Sequence, residues 1–188
     1  MTRKEKILLL SIAGVAITGT VYAMKRRRFS GIKLKKSIII DRPAPHLYSF
    51  WRDFQNLPRI ADILESVEVL DDLRSRWTIA APGEIPVQWD AEITKDLQDQ
   101  MIGWRSLENS VIETAGYVRF ESAPGGRGTL VRVALEYYLP AGRVGAIVAT
   151  LFGKRPGAHV EDLLRRFKQV METGESAIAE DPRERLAL

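Results

Sequence analysis

Apolar and polar residues alternate strictly through the middle of the chain, most clearly in Val87-Gln88-Trp89-Asp90-Ala91-Glu92-Ile93. Successive side chains of a strand point to opposite faces, so such a run predicts a strand buried on one side and wet on the other. The same signal predicts strands over Ser66–Leu70, Arg74–Ala80, Ile85–Thr94, Met101–Leu107, Ile112–Ser122 and Thr129–Leu139. Their separators, "DDL", "APGE", "KDLQDQ", "LENS" and "APGGRG", are short and rich in turn residues. Six strands joined this way form an antiparallel meander.

The period changes at both ends of this region. "KLKKSIIIDRPAP" reads as a strand ending at Asp41-Arg42-Pro43, because the β-branched isoleucines favour a ladder that the prolines then stop. "APHLYSFWRDF" places Leu47, Phe50, Trp51 and Phe54 at helical spacing, and "NLPRIADIL" predicts a second short helix. After Pro140, "AGRVGAIVATLFG" and "PGAHVEDLLRRFKQVMETGE" are helical, with a break at "GKRPG". In the second of these, Val160, Leu163, Leu164, Phe167, Val170 and Met171 make one apolar stripe.

Alternation also sorts the strand residues by face. The apolar side collects Val67, Val69, Trp77, Ile79, Val87, Trp89, Ala91, Ile93, Ile102, Trp104, Ser106, Val118, Phe120, Val131, Val133, Leu135 and Tyr137. The other side carries charges of both signs, such as Asp90, Glu92, Arg105, Arg119, Glu121, Arg132 and Glu136, and reads as a solvated face with cross-strand pairs. A sheet of about seven strands is ~30 Å wide, whereas one helix covers only ~10–12 Å. Either the sheet curls tightly around the terminal helix or a void remains between them. Ala91, Ser106 and Gly116 leave room for a void; Trp77, Trp89, Trp104 and Phe120 are large enough to fill it.

Ahead of this unit, Ile7–Met24 is an 18-residue stretch without a charge. As a helix it would span roughly 27 Å, close to the ~30 Å of a hydrocarbon core. A secretory leader is the competing reading, but the run is long for one and the cationic Lys25–Arg28 that follows would oppose export. The segment is therefore expected to be a retained single membrane anchor. Three basic residues precede it and seven follow closely, so the globular part should face the cytoplasm. The basic flank is suited to anionic lipid headgroups.

Charge then excludes one class of partner. The formal net charge is +4, but from Ser37 onward there are 18 basic against 23 acidic side chains, a net of −5. The folded part is acidic, which removes the main support for nucleic-acid binding. There is no cysteine, and the two histidines, His46 and His159, lie far apart in sequence without a ligand pattern, so neither a metal nor a cofactor is expected. On the apolar face only Ser106, Tyr137 and Thr114 carry a hydroxyl suited to chemistry, and Ser106 has no visible His and Asp partners. "APGGRGT" lies between two strands and reads as a hairpin rather than a phosphate cradle.

The order strand, two short helices, six-stranded meander and long terminal helix resembles the helix-grip fold of the SRPBCC superfamily, which includes START domains and the birch-pollen allergen (Bet v). The strings "IIIDRPAPHLYSFWRDFQNLPRI", "WDAEITKDLQDQMIGWRS", "GYVRFESAPGGRGTLVRV" and "FGKRPGAHVEDLLRRFKQVMETGE" are similar to bacterial polyketide cyclase/dehydrase and coenzyme Q-binding START-like proteins. The resemblance spans about residues 34 to 175. It implies an α+β fold in which a curved antiparallel sheet wraps a long C-terminal helix; the N-terminal transmembrane helix expected from Ile7–Met24 departs from the soluble cyclases of that family. The expected organisation is a flank at 1–6, the anchor at 7–24, a basic juxtamembrane linker at 25–36, the START-like domain at 37–175 and a tail at 176–188.

The resemblance further implies a cavity between sheet and terminal helix for a quinone, isoprenoid or other lipid-like molecule. Its expected lining is Trp77, Trp89, Ala91, Trp104, Ser106, Val118, Phe120, Val131, Val133, Leu135, Leu163 and Phe167. The leading expectation is a membrane-tethered, non-catalytic binder or transporter, in the inner membrane if the chain is bacterial. A cyclase, aromatase or dehydratase-type enzyme and a packed structural or interaction module are the alternatives.

Overall fold

The computed structural model describes residues 32–81, 85–108, 110–138, 145 and 156–174. The expected anchor Ile7–Met24, the cationic Lys25–Arg28, most of the helical stretch 141–153 and the tail 176–188 lie outside the described residues.

Seven strands form one antiparallel sheet: β1 (Ile32–Ile40), β2 (Leu64–Val69), β3 (Arg74–Ala81), β4 (Ile85–Leu97), β5 (Met101–Ser106), β6 (Glu113–Ser122) and β7 (Thr129–Tyr138). Their spatial order is β1-β7-β6-β5-β4-β3-β2. The strands from β2 to β7 follow each other as the predicted meander, and β1 closes onto β7, with Ile32 opposite Tyr137 and Ile40 opposite Thr129. β1 starts at Ile32, so Ile32–Lys36, assigned above to the linker, belong to the first strand. Its ladder partners on β7 extend the strand in that direction.

Helix α1 (Ala44–Arg52) follows Pro43, whose extended backbone sets the turn out of β1. It buries Leu47 and Trp51. The second helix is not the expected Asn56–Leu64 segment but a 3-10 helix, Phe54–Arg59. The Asp53 side chain accepts a hydrogen bond from the Gln55 amide and starts it early, and Pro58 inside it keeps it short. Ile60 and Ala61 are buried, and β2 begins at Leu64, two residues ahead of the predicted strand. The terminal helix, α2 (Pro156–Thr173), buries Val160, Leu164, Phe167 and Val170 and half-buries Leu163 and Met171, as the stripe predicts.

The core lies between the sheet's apolar face and these helices. One expected inner residue departs from it: Val69 is exposed. It sits at the last pair of β2, the edge strand of the sheet. The "APGGRG" segment is the predicted hairpin, with a 3-10 turn at Pro124–Gly126. Gly128 there has φ +81°, and a Cβ on it would stand 2.2 Å from the Ile40 carbonyl oxygen, so only glycine fits against the end of β1.

β4 runs three residues beyond the expected Thr94 because of a bulge between Ile93 and Lys95. The extra residue shifts the phase of the strand, pairing Lys95 with Gly103 and Asp96 with Ile102. Asp96 therefore faces the helices, where Arg52 Nε binds Oδ2 at 2.7 Å and the Tyr48 hydroxyl donates to Oδ1. Burial, reinforced by that hydrogen bond and the Asp96 charge, pushes the Tyr48 pKa up to about 12. The bulge thus fastens α1 to the β4–β5 hairpin.

Candidate ligand-binding site

The tryptophans assigned to the inner face come together. Trp77 and Trp89 are paired residues of β3 and β4, with ring centroids 6.0 Å apart, and Trp77 stacks on Trp104 of β5 at 6.3 Å and 22°. Phe54 closes this cluster edge-on, 5.4 Å from Trp77 and 6.1 Å from Trp104. The sequence pattern assigned Phe54 to the helical stripe of α1; what brings it to the tryptophans is the break at Asp53, a signal visible only as a potential cap residue before Gln55.

Within the cluster the ring nitrogens are treated unequally. Trp77 Nε1 donates to Ser75 Oγ at 2.8 Å, a buried hydrogen bond between residues two apart on one strand. Trp89 Nε1 is buried and has no acceptor among the described residues. A buried donor without a partner costs about 1–3 kcal/mol, and Trp51 Nε1 on α1 is in the same state among the described residues.

The remaining expected lining residues divide into two groups. Ala91, Val118, Phe120, Val131 and Val133 are buried on the same face, and Ser106, Leu135 and Leu163 are half-buried. Phe120 also meets Tyr48 of α1 edge-on at 6.2 Å. Phe167 is fully buried and packs on α1, 5.3 Å from Phe50 and 5.1 Å from Trp51. It belongs to the seam between the two helices.

Two of the three small residues do not act as spacers. The room over Gly116 is taken by the Trp104 ring. The Ser106 hydroxyl accepts from the Thr114 amide at 2.9 Å and donates to the Thr114 carbonyl at 3.3 Å, continuing the β5–β6 ladder with a side chain. That commits Ser106 on both sides. Burial pushes the Tyr137 pKa up, holding its phenol neutral. His46 is exposed on α1 and His159 half-buried on α2. Among the described residues no group of three His, Cys, Asp or Glu is placed to hold a metal ion.

Polar contacts fix α2 to the β1 edge at both of its ends. Near its start Lys36 pairs with Glu161; near its end Glu172 accepts from the Asp41 amide at 2.8 Å and from Lys168 Nζ at 2.6 Å. Arg42 donates to the Glu172 carbonyl oxygen at 2.6 Å, and Lys168 to the Ile39 carbonyl oxygen at 2.9 Å.

A seven-stranded antiparallel sheet gripping a C-terminal helix, with an aromatic inner face, defines the START-like, helix-grip class of domains, which handle hydrophobic small molecules. Residues 40–168 match the sequence profile of the family described as polyketide cyclase/dehydrase and lipid transport, and the chain belongs to that family. Among solved structures, a protein of Deinococcus radiodurans is 41% identical; the similarity covers 77% of this chain and 99% of that one, with a TM-score of 0.65. A Thermus thermophilus protein is 25% identical over 77% of this chain and 100% of its own, with a TM-score of 0.61. An aromatase/cyclase from Streptomyces shares the fold at 14% identity, over 78% of this chain and 99% of its own, with a TM-score of 0.57. No functionally curated protein matches the chain.

Proposed function

We propose that the chain is a membrane-tethered binder or carrier of a hydrophobic small molecule, quinone-, isoprenoid- or lipid-like, held between the inner face of the sheet and α2, and that it works without catalysis. The observation that supports this reading best is the buried Trp89 N–H, which has no acceptor among the described residues and is set in a wall of packed aromatics. A carbonyl on an otherwise apolar ligand would supply that acceptor, and sites of this kind pair an apolar lining with a few directed polar groups. The Ser106 hydroxyl is engaged with the Thr114 backbone and burial keeps the Tyr137 phenol neutral, which suits these two side chains to binding rather than to nucleophilic or base chemistry. Tethering rests on the length and flanking charges of Ile7–Met24.

The test is to extract the full chain from membranes in mild detergent, record native mass spectra and identify what co-purifies. A stoichiometric apolar species bearing a carbonyl is expected, as is quenching of tryptophan fluorescence by an added short-chain quinone. No co-purifying species together with no quenching would overturn the binding reading. It would favour the packed-module alternative, which the buried Phe167 and the occupied space over Gly116 support.

A further inference from the structure

On the outer face of the sheet, one cross-strand row runs Lys95, Gly103, Tyr117, Ala134, Lys35, from β4 through β5, β6 and β7 to β1. Two lysines stand at its ends, and glycine and alanine lower its middle. The neighbouring row toward the Ile32 end contains Arg105 and Lys33. Together the rows line a depression of about 580 Å³. Lys33 and Arg105 already have carboxylate partners on this face, Glu136 and Glu92, whereas Lys35 and Lys95 have none among the described residues. At the same end of the sheet Val111 and Tyr138 are exposed, and so is Ile32, which by its pairing with Tyr137 lies on the opposite face at the rim.

We infer that this outer face, with the Ile32–Tyr138 end of the sheet, docks on an anionic phospholipid bilayer. The inference rests on the tethered-binder reading for its setting. Seven residues separate the end of the expected anchor at Met24 from Ile32, a length of chain of at most ~25 Å. Charge decides the occupant. From Ile32 onward the chain carries 21 basic against 23 acidic side chains, so a depression lined by Lys33, Lys35, Lys95 and Arg105 with Glu136 is a local cationic excess that suits a phosphate-bearing surface, and the amphipathic Tyr138 ring suits its headgroup level.

The Gly31–Leu188 fragment, one compact unit of the chain that lacks the expected anchor, isolates this surface. It is sedimented with vesicles of phosphatidylcholine alone and of phosphatidylcholine mixed with phosphatidylglycerol. Binding is expected only to the mixed vesicles and should weaken with salt. Lys35→Glu/Lys95→Glu should lower partitioning roughly twentyfold or more, Lys35→Gln/Lys95→Gln should lower it in the same direction, and Tyr138→Ser should weaken it further. Arg132→Gln, on the same face but paired with Glu121 away from the depression, should retain binding. Equal binding to both vesicle types, or unchanged binding by both lysine double variants with native unfolding curves, would overturn the inference. So would binding to a soluble polyanion without binding to the mixed vesicles. Quinone quenching of the same fragment in solution is read separately: quenching without vesicle binding defeats the docking surface alone, and vesicle binding without quenching defeats the ligand reading alone.

Discussion

Trp104 lies across the bare backbone of Gly116, its partner on β6: a Cβ at Gly116 would stand 2.7 Å from Trp104 Cζ2 and 2.8 Å from the Ala134 carbonyl oxygen. The ring can tilt, but the carbonyl is part of the β6–β7 ladder and cannot easily move. Gly116→Ala should therefore destabilise the domain by about 1–3 kcal/mol, the usual range for overpacking. Denaturant unfolding gives the magnitude, and a changed near-ultraviolet dichroism signal would report the displaced Trp104.

Removing the Trp89 donor tests its part in binding. Trp89→Phe keeps most of the aromatic contact and deletes a buried N–H that has no acceptor among the described residues, so the unliganded domain should lose less than about 1.5 kcal/mol. Affinity for a carbonyl-bearing quinone should fall about three- to tenfold, while a carbonyl-free hydrocarbon of similar size should bind as before. Fluorescence titration of both probes makes the comparison, and equal losses would remove Trp89 from the binding role.

Phe167 offers the contrasting case. It is fully buried between Phe50 and Trp51, so Phe167→Ala should cost ~3–5 kcal/mol. Its effect on quinone affinity, measured on the fraction that remains folded, should be smaller than that of Trp89→Phe.

The two faces of β7 differ sharply in tolerance. Val133→Arg places a guanidinium in the core and should destabilise the domain by about 3 kcal/mol or more. Arg132 is exposed in an ion pair with Glu121, and Arg132→Ala should change stability by no more than about 1 kcal/mol. Thermal unfolding of both variants checks the assignment.

Acid should loosen the far end of α2. Burial acts to raise the Glu172 pKa, but the Asp41 amide, Lys168 and Arg42 outweigh it, and the pKa lies below the ordinary glutamate value. A carboxylate depressed in the folded state contributes stability above its unfolded pKa of about 4.3 and loses that contribution as pH falls through the folded value. Stability should therefore drop below about pH 4, and Glu172→Gln should flatten that part of the profile while lowering stability at neutral pH. Chemical denaturation across the acid range separates the two.

The alternation of Val87–Ile93 and the helical stripe of Val160–Met171 made most strands, both faces and α2 legible, because each records burial on one side of a regular element. What escaped depended on contacts distant in sequence or on irregular backbone. The bulge after Ile93 leaves the apolar pattern of β4 intact and shows only as Asp96 turned toward Tyr48 and Arg52. The 3-10 helix carries the same apolar spacing as an α-helical turn, and it is the Asp53 cap that moves Phe54 to the tryptophans. The use of Gly116 by Trp104 involves two strands at once; a lone glycine in a strand reads as slack until its neighbour is known.

The pairing of β1 with β7 has a consequence for how the chain is made. During synthesis the first strand leaves the ribosome with its only ladder partner nearly a hundred residues behind it, so the β1–β7 seam must close late and over a long loop. Until then, the isoleucines of β1 and the apolar face of the growing meander lack both the seam and α2, the element that covers them. A nascent chain stalled before Thr129 would therefore present a sticky, open sheet, the species on which a chaperone or an aggregation pathway would act.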